Sequence, residues 1–104
     1  MTATLAQARE LEAVVGRTGL AYGLTYTYSG YPPVREARAR VAAGEIGTIR
    51  KVVVEYPQGW LAEPSDSKQA AWRVDPKVAG MGGCIGDIGV HAFHLAEFIT
   101  GLRV

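Results

Sequence analysis

An acid and two histidines, Asp87, His91 and His94, stand four and three residues apart near the end of this 104-residue sequence. On a helix that spacing puts all three on one stripe. A carboxylate one turn before an imidazole can hold it and draw its pKa toward neutrality, which suits proton transfer. Metal ligation would use the same residue types, with Cys84 a turn earlier. A straight helix, however, spreads Cys84 to His94 over about 15 Å, too far for one ion. At most Asp87, His91 and His94 could share it, and no second ligand cluster is visible, so no metal is expected. Gly80, Gly82, Gly83 and Gly86 lead into the stripe and suggest a phosphate cradle. The dinucleotide fingerprint needs a strand directly before such glycines. Asp75-Pro76-Lys77 stands there instead, so the glycines read better as a tight turn and a close-packed helix. Two readings of the stripe remain: histidines satisfied within a core or surface, and acid–base chemistry with His91 moving a proton and Asp87 orienting it or the substrate.

The elements that must position this stripe follow from periodicity. Ile85, Ile88, Ala92, Leu95 and Ile99 recur at about 100° per residue, which predicts one helix from Cys84 to Thr100. Leu5, Ala8, Leu11 and Val15 predict another over residues 4–16, capped by Thr4 or Thr2 and ended by Gly16 or Gly19. Pro32-Pro33 suits the first turn of a third, reaching about Ala43, with Val34, Ala37 and Val41 inward and Gly44 just beyond its end. Residues 20–28, rich in aromatics and threonine, predict a strand. So do Ile49 to Tyr56, where Val52, Val54 and Tyr56 alternate with Lys51, Val53 and Glu55 until Pro57. Residues 58–79 show neither period and read as a long functional loop. Within it Trp72-Arg73 pairs a large ring with a fixed cation. That pair suits gripping a polar ligand, or a plainer role in which Trp72 anchors the loop and Arg73 caps a carbonyl.

Length bounds this to about one small domain. The sequence is 48% hydrophobic and 20% charged, which predicts a globular chain. A net charge of +1 gives no electrostatic case for nucleic acid or an anionic membrane. The single cysteine, Cys84, excludes an internal disulfide and fits a reducing cytoplasm. No apolar run approaches the roughly 20 residues that span a bilayer, and the N-terminus does not read as a secretory signal. Two strands separated by a helix do not make a stable sheet alone. The order therefore reads as a segment of a larger α/β protein.

Three stretches belong together: Tyr31-Pro32 with Ala43-Gly44-Glu45-Ile46-Gly47-Thr48-Ile49, then Trp72-Arg73 with Asp75, and then Gly82-Gly83-Cys84-Ile85-Gly86-Asp87-Ile88-Gly89-Val90-His91. In combination they resemble the Gfo/Idh/MocA (glucose–fructose oxidoreductase / inositol dehydrogenase / MocA) family of nicotinamide-dependent oxidoreductases. The resemblance runs from about Leu5 to Leu102. It implies an α/β fold in which residues 1–28 close a Rossmann dinucleotide-binding domain. Residues 29–104 then begin a substrate domain built on a large, mostly antiparallel sheet. It implies hydride transfer between NAD or NADP and a sugar, cyclitol or related polyol or its keto form. His91 would be the proton acceptor and donor, Asp87 its catalytic partner, and His94, Trp72, Arg73, Tyr26 and Tyr28 the substrate-binding residues. The glycine-rich cofactor loop and the lysine of the family's Glu-Lys-Pro motif are expected before this sequence starts, so the cofactor-binding residues are unknown here and the isolated chain is expected to be inactive. A homo-oligomer in the cytoplasm is the implied setting, with a small-molecule partner and neither nucleic acid nor membrane. The alternative is a catalytically silent α/β interaction segment that folds on oligomerisation.

Overall fold

A computed structural model describes residues 2–104 and is helical throughout its regular parts. In order come α1 (Leu5–Thr18), a 3-10 turn (Thr27–Gly30), α2 (Pro32–Ala42), α3 (Lys68–Val74), α4 (Pro76–Ala79), a π-helical segment (Ile85–Gly89) and α5 (Val90–Thr100). They fall into two compact units. One takes the chain up to Thr25 together with Gly59–Asp87; the other takes Tyr26–Gln58 together with Ile88–Val104.

In the first unit, α1 starts at Thr4 through a reciprocal cap. The Gln7 backbone N–H donates to the Thr4 hydroxyl at 3.3 Å, and the Thr4 N–H donates to the Gln7 side-chain oxygen at 3.1 Å. Gly19, at φ 64°, ends it by donating to the Val15 carbonyl at 3.0 Å. Ala8, Leu11 and Val15 are its half-buried stripe, as the periodicity predicts, while Leu5 is exposed. Ser67 caps α3 by accepting from the Ala70 N–H at 3.1 Å. Asp75 stops α3 because a residue before proline avoids helical backbone, and its side chain then caps α4 at the Lys77 N–H, 2.9 Å away. α3 and α4 pack together. Ala70 is the only buried hydrophobic residue among the described residues.

In the second unit, the 3-10 turn, α2 and α5 pack on one another. Pro32 and Pro33 open α2, and Gly44, at φ 76°, follows its end and donates to the Val41 carbonyl at 3.0 Å. Val34, Ala37 and Val41 are the half-buried residues of α2. α5 ends at Gly101, φ 73°, whose N–H donates to the Glu97 carbonyl at 2.8 Å.

Three sequence expectations are corrected. The α/β fold with a large, mostly antiparallel sheet is not what this chain forms: no strand occurs among the described residues. Residues 20–26 and 49–59 carry no helix or strand, and Thr27–Gly30 is a helical turn. A strand's hydrogen bonds must come from a neighbour, and neither segment finds one. Val52, Val53 and Val54 are all exposed, so the predicted alternation of faces is absent, and only the two ends of that run, Ile49 and Tyr56, are half-buried. The long loop is the second correction, since it holds α3 and α4. Seven and four residues are too few to show a period, but Ser67 and Asp75-Pro76 mark both starts. The third is the period of the closing helix: residues 84–100 are all helical, as the apolar stripe predicts, but not with one period. Ile85–Gly89 is π-helical, with i→i+5 rather than i→i+4 bonding, so a single 100° wheel does not describe 84–100. Gly86 and Gly89 lower the preference for the α turn there.

Candidate functional site

The predicted site residues gather in two separate groups, one in each unit. Asp87, Arg73 and Trp72 belong to the first; His91, His94, Tyr26 and Tyr28 belong to the second.

Arg73 sits at the centre of the first group. α3 places it one turn after Gln69, and its guanidinium Nη1 donates to the Gln69 carbonyl at 3.1 Å and to the Gln69 side-chain oxygen at 2.8 Å. Its Nε donates to Asp87 Oδ2 at 2.6 Å, and both side chains are 25% exposed. The guanidinium carbon lies 4.2 Å from the Trp72 ring centre and 5.2 Å from that of Trp60. Planar cations take such ring faces readily. The Trp72 indole N–H donates to the Gln69 side chain at 3.3 Å. Arg73 therefore does cap a carbonyl, and it also binds the predicted catalytic carboxylate. Asp87 here is an ion-paired acceptor (charge-assisted on one oxygen).

An aromatic cluster forms the second group. Tyr26 and Tyr28 flank the start of the 3-10 turn, which the Ser29 N–H and hydroxyl pin by donating to the Tyr26 carbonyl at 3.2 and 2.8 Å. The Tyr26 ring stacks on His94, centres 4.1 Å apart and planes 9° apart, and His94 stacks in turn on Phe98 at 5.8 Å. The Arg38 guanidinium covers Phe98 at 4.5 Å. His91 meets Tyr26 and Tyr28 edge-on, at 5.9 and 5.0 Å. His91 Nδ1 is buried with no hydrogen-bond partner. Such an orphan costs about 1–3 kcal/mol, which a ligand group bonding there would recover. The Tyr28 and Tyr56 hydroxyls hydrogen-bond to each other. That bond raises the Tyr28 pKa first, followed by burial and then by the neighbouring Tyr56 and Tyr31 phenols.

Sequence reasoning missed Gln69, Tyr56, Arg38 and the role of Trp60. Gln69 was visible in principle, at i−3 and i−4 from Trp72 and Arg73. Tyr56 lies 28 residues from Tyr28 and gave no signal beyond a phenol ending an apolar run.

Two of the four glycines, Gly80 and Gly82, are closed by the chain's own backbone. A Cβ on Gly80 would stand 2.6 Å from the Ala3 carbonyl oxygen, so the chain's own backbone fills that approach. Gly82 closes on the backbone of Gly86. No group of three His, Cys, Asp or Glu suited to a metal occurs among the described residues. No described helix is long and apolar enough to cross a membrane.

Comparison with known proteins adds a family. The profile described as GFO/IDH/MocA C-terminal domain matches residues 34–104. An uncharacterized oxidoreductase, YfiI, of Bacillus subtilis is 34% identical over 99 residues, covering 92% of this chain and 25% of the relative. A levoglucosan dehydrogenase of Pseudarthrobacter phenanthrenivorans is 31% identical over 78 residues, covering 75% of this chain and 19% of the relative. The chain thus spans a quarter or less of the curated relatives it matches. No solved structure matches it at comparable stringency.

Proposed function

The chain belongs to the Gfo/Idh/MocA family of oxidoreductases, and from that premise we propose that it supplies the proton-handling part of a dehydrogenase acting on a sugar, cyclitol or related polyol. The observation that carries this is the family match over 34–104, which takes in Asp87, His91 and His94. The levoglucosan dehydrogenase among the relatives supports a carbohydrate-derived substrate. In this reading NAD or NADP supplies the hydride acceptor.

The chain's residues do the rest. His91 accepts the proton of the substrate hydroxyl on oxidation and returns it on reduction; its unpartnered Nδ1 leaves capacity for a ligand group. Asp87, held by Arg73, presents an oriented carboxylate to a substrate hydroxyl and supports that proton transfer. Tyr26, Tyr28 and His94 offer stacked and edge-on ring surface, and Trp72 and Arg73 a cation backed by a ring, as substrate contacts. Homo-oligomerisation is proposed as well, on the exposed Val52, Val53 and Val54 run.

The test is turnover of levoglucosan and a polyol panel with NAD and NADP, in the protein with whatever sequence flanks these residues. His91→Ala is expected to lower kcat by about 10²–10⁴-fold with cofactor KM near normal. Unchanged turnover would remove His91 from the reaction.

A further inference from the structure

We propose that Tyr56 is a positioning residue of the His91 group: it acts through Tyr28, fixing that phenol against the imidazole so that one hydroxyl of the pair donates to a substrate oxygen. This rests on the reading of His91 as the proton-handling residue.

Geometry carries the inference. The run from Arg50 to Gly59 carries no helix or strand and is otherwise exposed, yet Tyr56 is half-buried and reaches the Tyr28 hydroxyl. The two rings meet edge-on, centres 5.7 Å apart and planes at 88°. Tyr28 also meets Tyr31 edge-on at 5.9 Å and His91 at 5.0 Å. Four rings thus share one hydroxyl–hydroxyl bond as their polar link, and the orphaned Nδ1 belongs to one of them. Two phenols carry two O–H donors, and their mutual bond uses one. The second remains available to an acceptor, and a polyol hydroxyl or a keto oxygen is such an acceptor. The groups facing Tyr28 are Tyr56 from the irregular run, Tyr31 at the start of α2 and His91 on α5. The raised Tyr28 pKa agrees: its phenol stays neutral, and so remains a donor, past the ordinary tyrosine range.

The experiment replaces Tyr56 by Phe and reads three quantities. Ultraviolet titration of tyrosinate should show the high-titrating group of the wild type moving down toward the ordinary value of 10.0. KM for the polyol should rise about tenfold, the worth of one hydrogen bond, with cofactor KM unchanged. The basic limb of the kcat/KM profile should move to lower pH with the titration. Tyr28→Phe should remove the same titrating group, and Tyr28→Phe/Tyr56→Phe should be no worse than Tyr28→Phe alone. If Tyr56→Phe fails to fold, Tyr28→Phe carries the test through its titration and KM. Additive losses in the double variant, or a wild-type titration curve in Tyr56→Phe, would overturn the proposal. Loss of turnover in His91→Ala beside normal kinetics in Tyr56→Phe overturns the Tyr56 role alone. Normal turnover in His91→Ala overturns the function reading and this role with it, whatever the titration shows.

Discussion

Removing the Arg73 guanidinium should cost the first unit about 2 kcal/mol. Fully exposed ion pairs contribute about 0–1 kcal/mol, and breaking a fully buried one costs about 3–5. Arg73 and Asp87 each keep 25% of their side-chain exposure, so the pair lies between these limits and is partly screened by water. The 2.6 Å charge-assisted bond to Asp87 accounts for most of the figure. The bonds to Gln69 lie toward solvent and add less. Ring contacts to Trp72 and Trp60 add about 0.5 kcal/mol each at such exposure. Arg73→Ala removes all of these, whereas Arg73→Lys keeps the charge without the planar fork and should recover less than half. The assay is urea unfolding followed by tryptophan fluorescence. Trp60 and Trp72 are the only tryptophans, and both face this guanidinium, so the probe reports on the group itself. A double-mutant cycle of Arg73→Ala with Asp87→Asn should return a coupling energy of about 1–2 kcal/mol, reduced but not abolished by high salt. A loss below about 0.5 kcal/mol for Arg73→Ala, with no coupling, would refute the claim that this pair holds Asp87 in place.

Two further outcomes test other parts of the structure. Gly80 lies at φ 82°, ψ 173°, a region essentially restricted to glycine, and its missing Cβ faces the Ala3 carbonyl oxygen at 2.6 Å. Gly80→Ala should therefore destabilise by about 2–4 kcal/mol, while Gly83→Ala, at φ 48° with open space around it, should cost about 1; equal losses in thermal unfolding would contradict this. The raised Tyr28 pKa fixes the sign of a pH effect. The folded state prefers the neutral phenol, so this contribution to stability is fully present below the unfolded tyrosine value near 10.0 and is lost as pH rises through the higher folded value. Unfolding midpoints in alkaline buffers should show that loss in the wild type, and a much smaller one in Tyr56→Phe.

The helices were legible where one segment supplies its own evidence. Thr4 and Gly19 bound α1, Pro32-Pro33 and Gly44 bound α2, and Val34, Ala37 and Val41 mark the face that α2 buries. α3 and α4 escaped the periodic reading because neither completes enough turns to repeat an apolar position. Site residues were legible as types and not as partners. Arg73 and Asp87 are 14 residues apart, and Tyr28 and Tyr56 are 28 apart; no local rule links either pair. Asp87 lies within the π-helical Ile85–Gly89, where spacing on an ideal α-helical wheel does not apply.

The failed strands show why a pattern can be real and its structure absent. A helix closes its hydrogen bonds within one segment, so capping residues and a modest apolar face are enough to set its limits. A strand borrows every ladder bond from a neighbour, and β-branched residues favour it only because they pack on a pleated, half-buried surface. Lys51 to Glu55 has the residue types and lacks the neighbour. Val52 and Val54, which alternation assigns to one face, are 42% and 44% exposed, and Val53 on the other is 66% exposed. The alternation therefore records a preference that this chain cannot satisfy by itself. Near the end of the run Tyr56 has a hydroxyl for which Tyr28 provides a partner, and that bond constrains the segment where the ladder is missing. If so, Tyr56→Phe should loosen residues 50–58 together, and their backbone amides should exchange faster while those of α2 keep their protection.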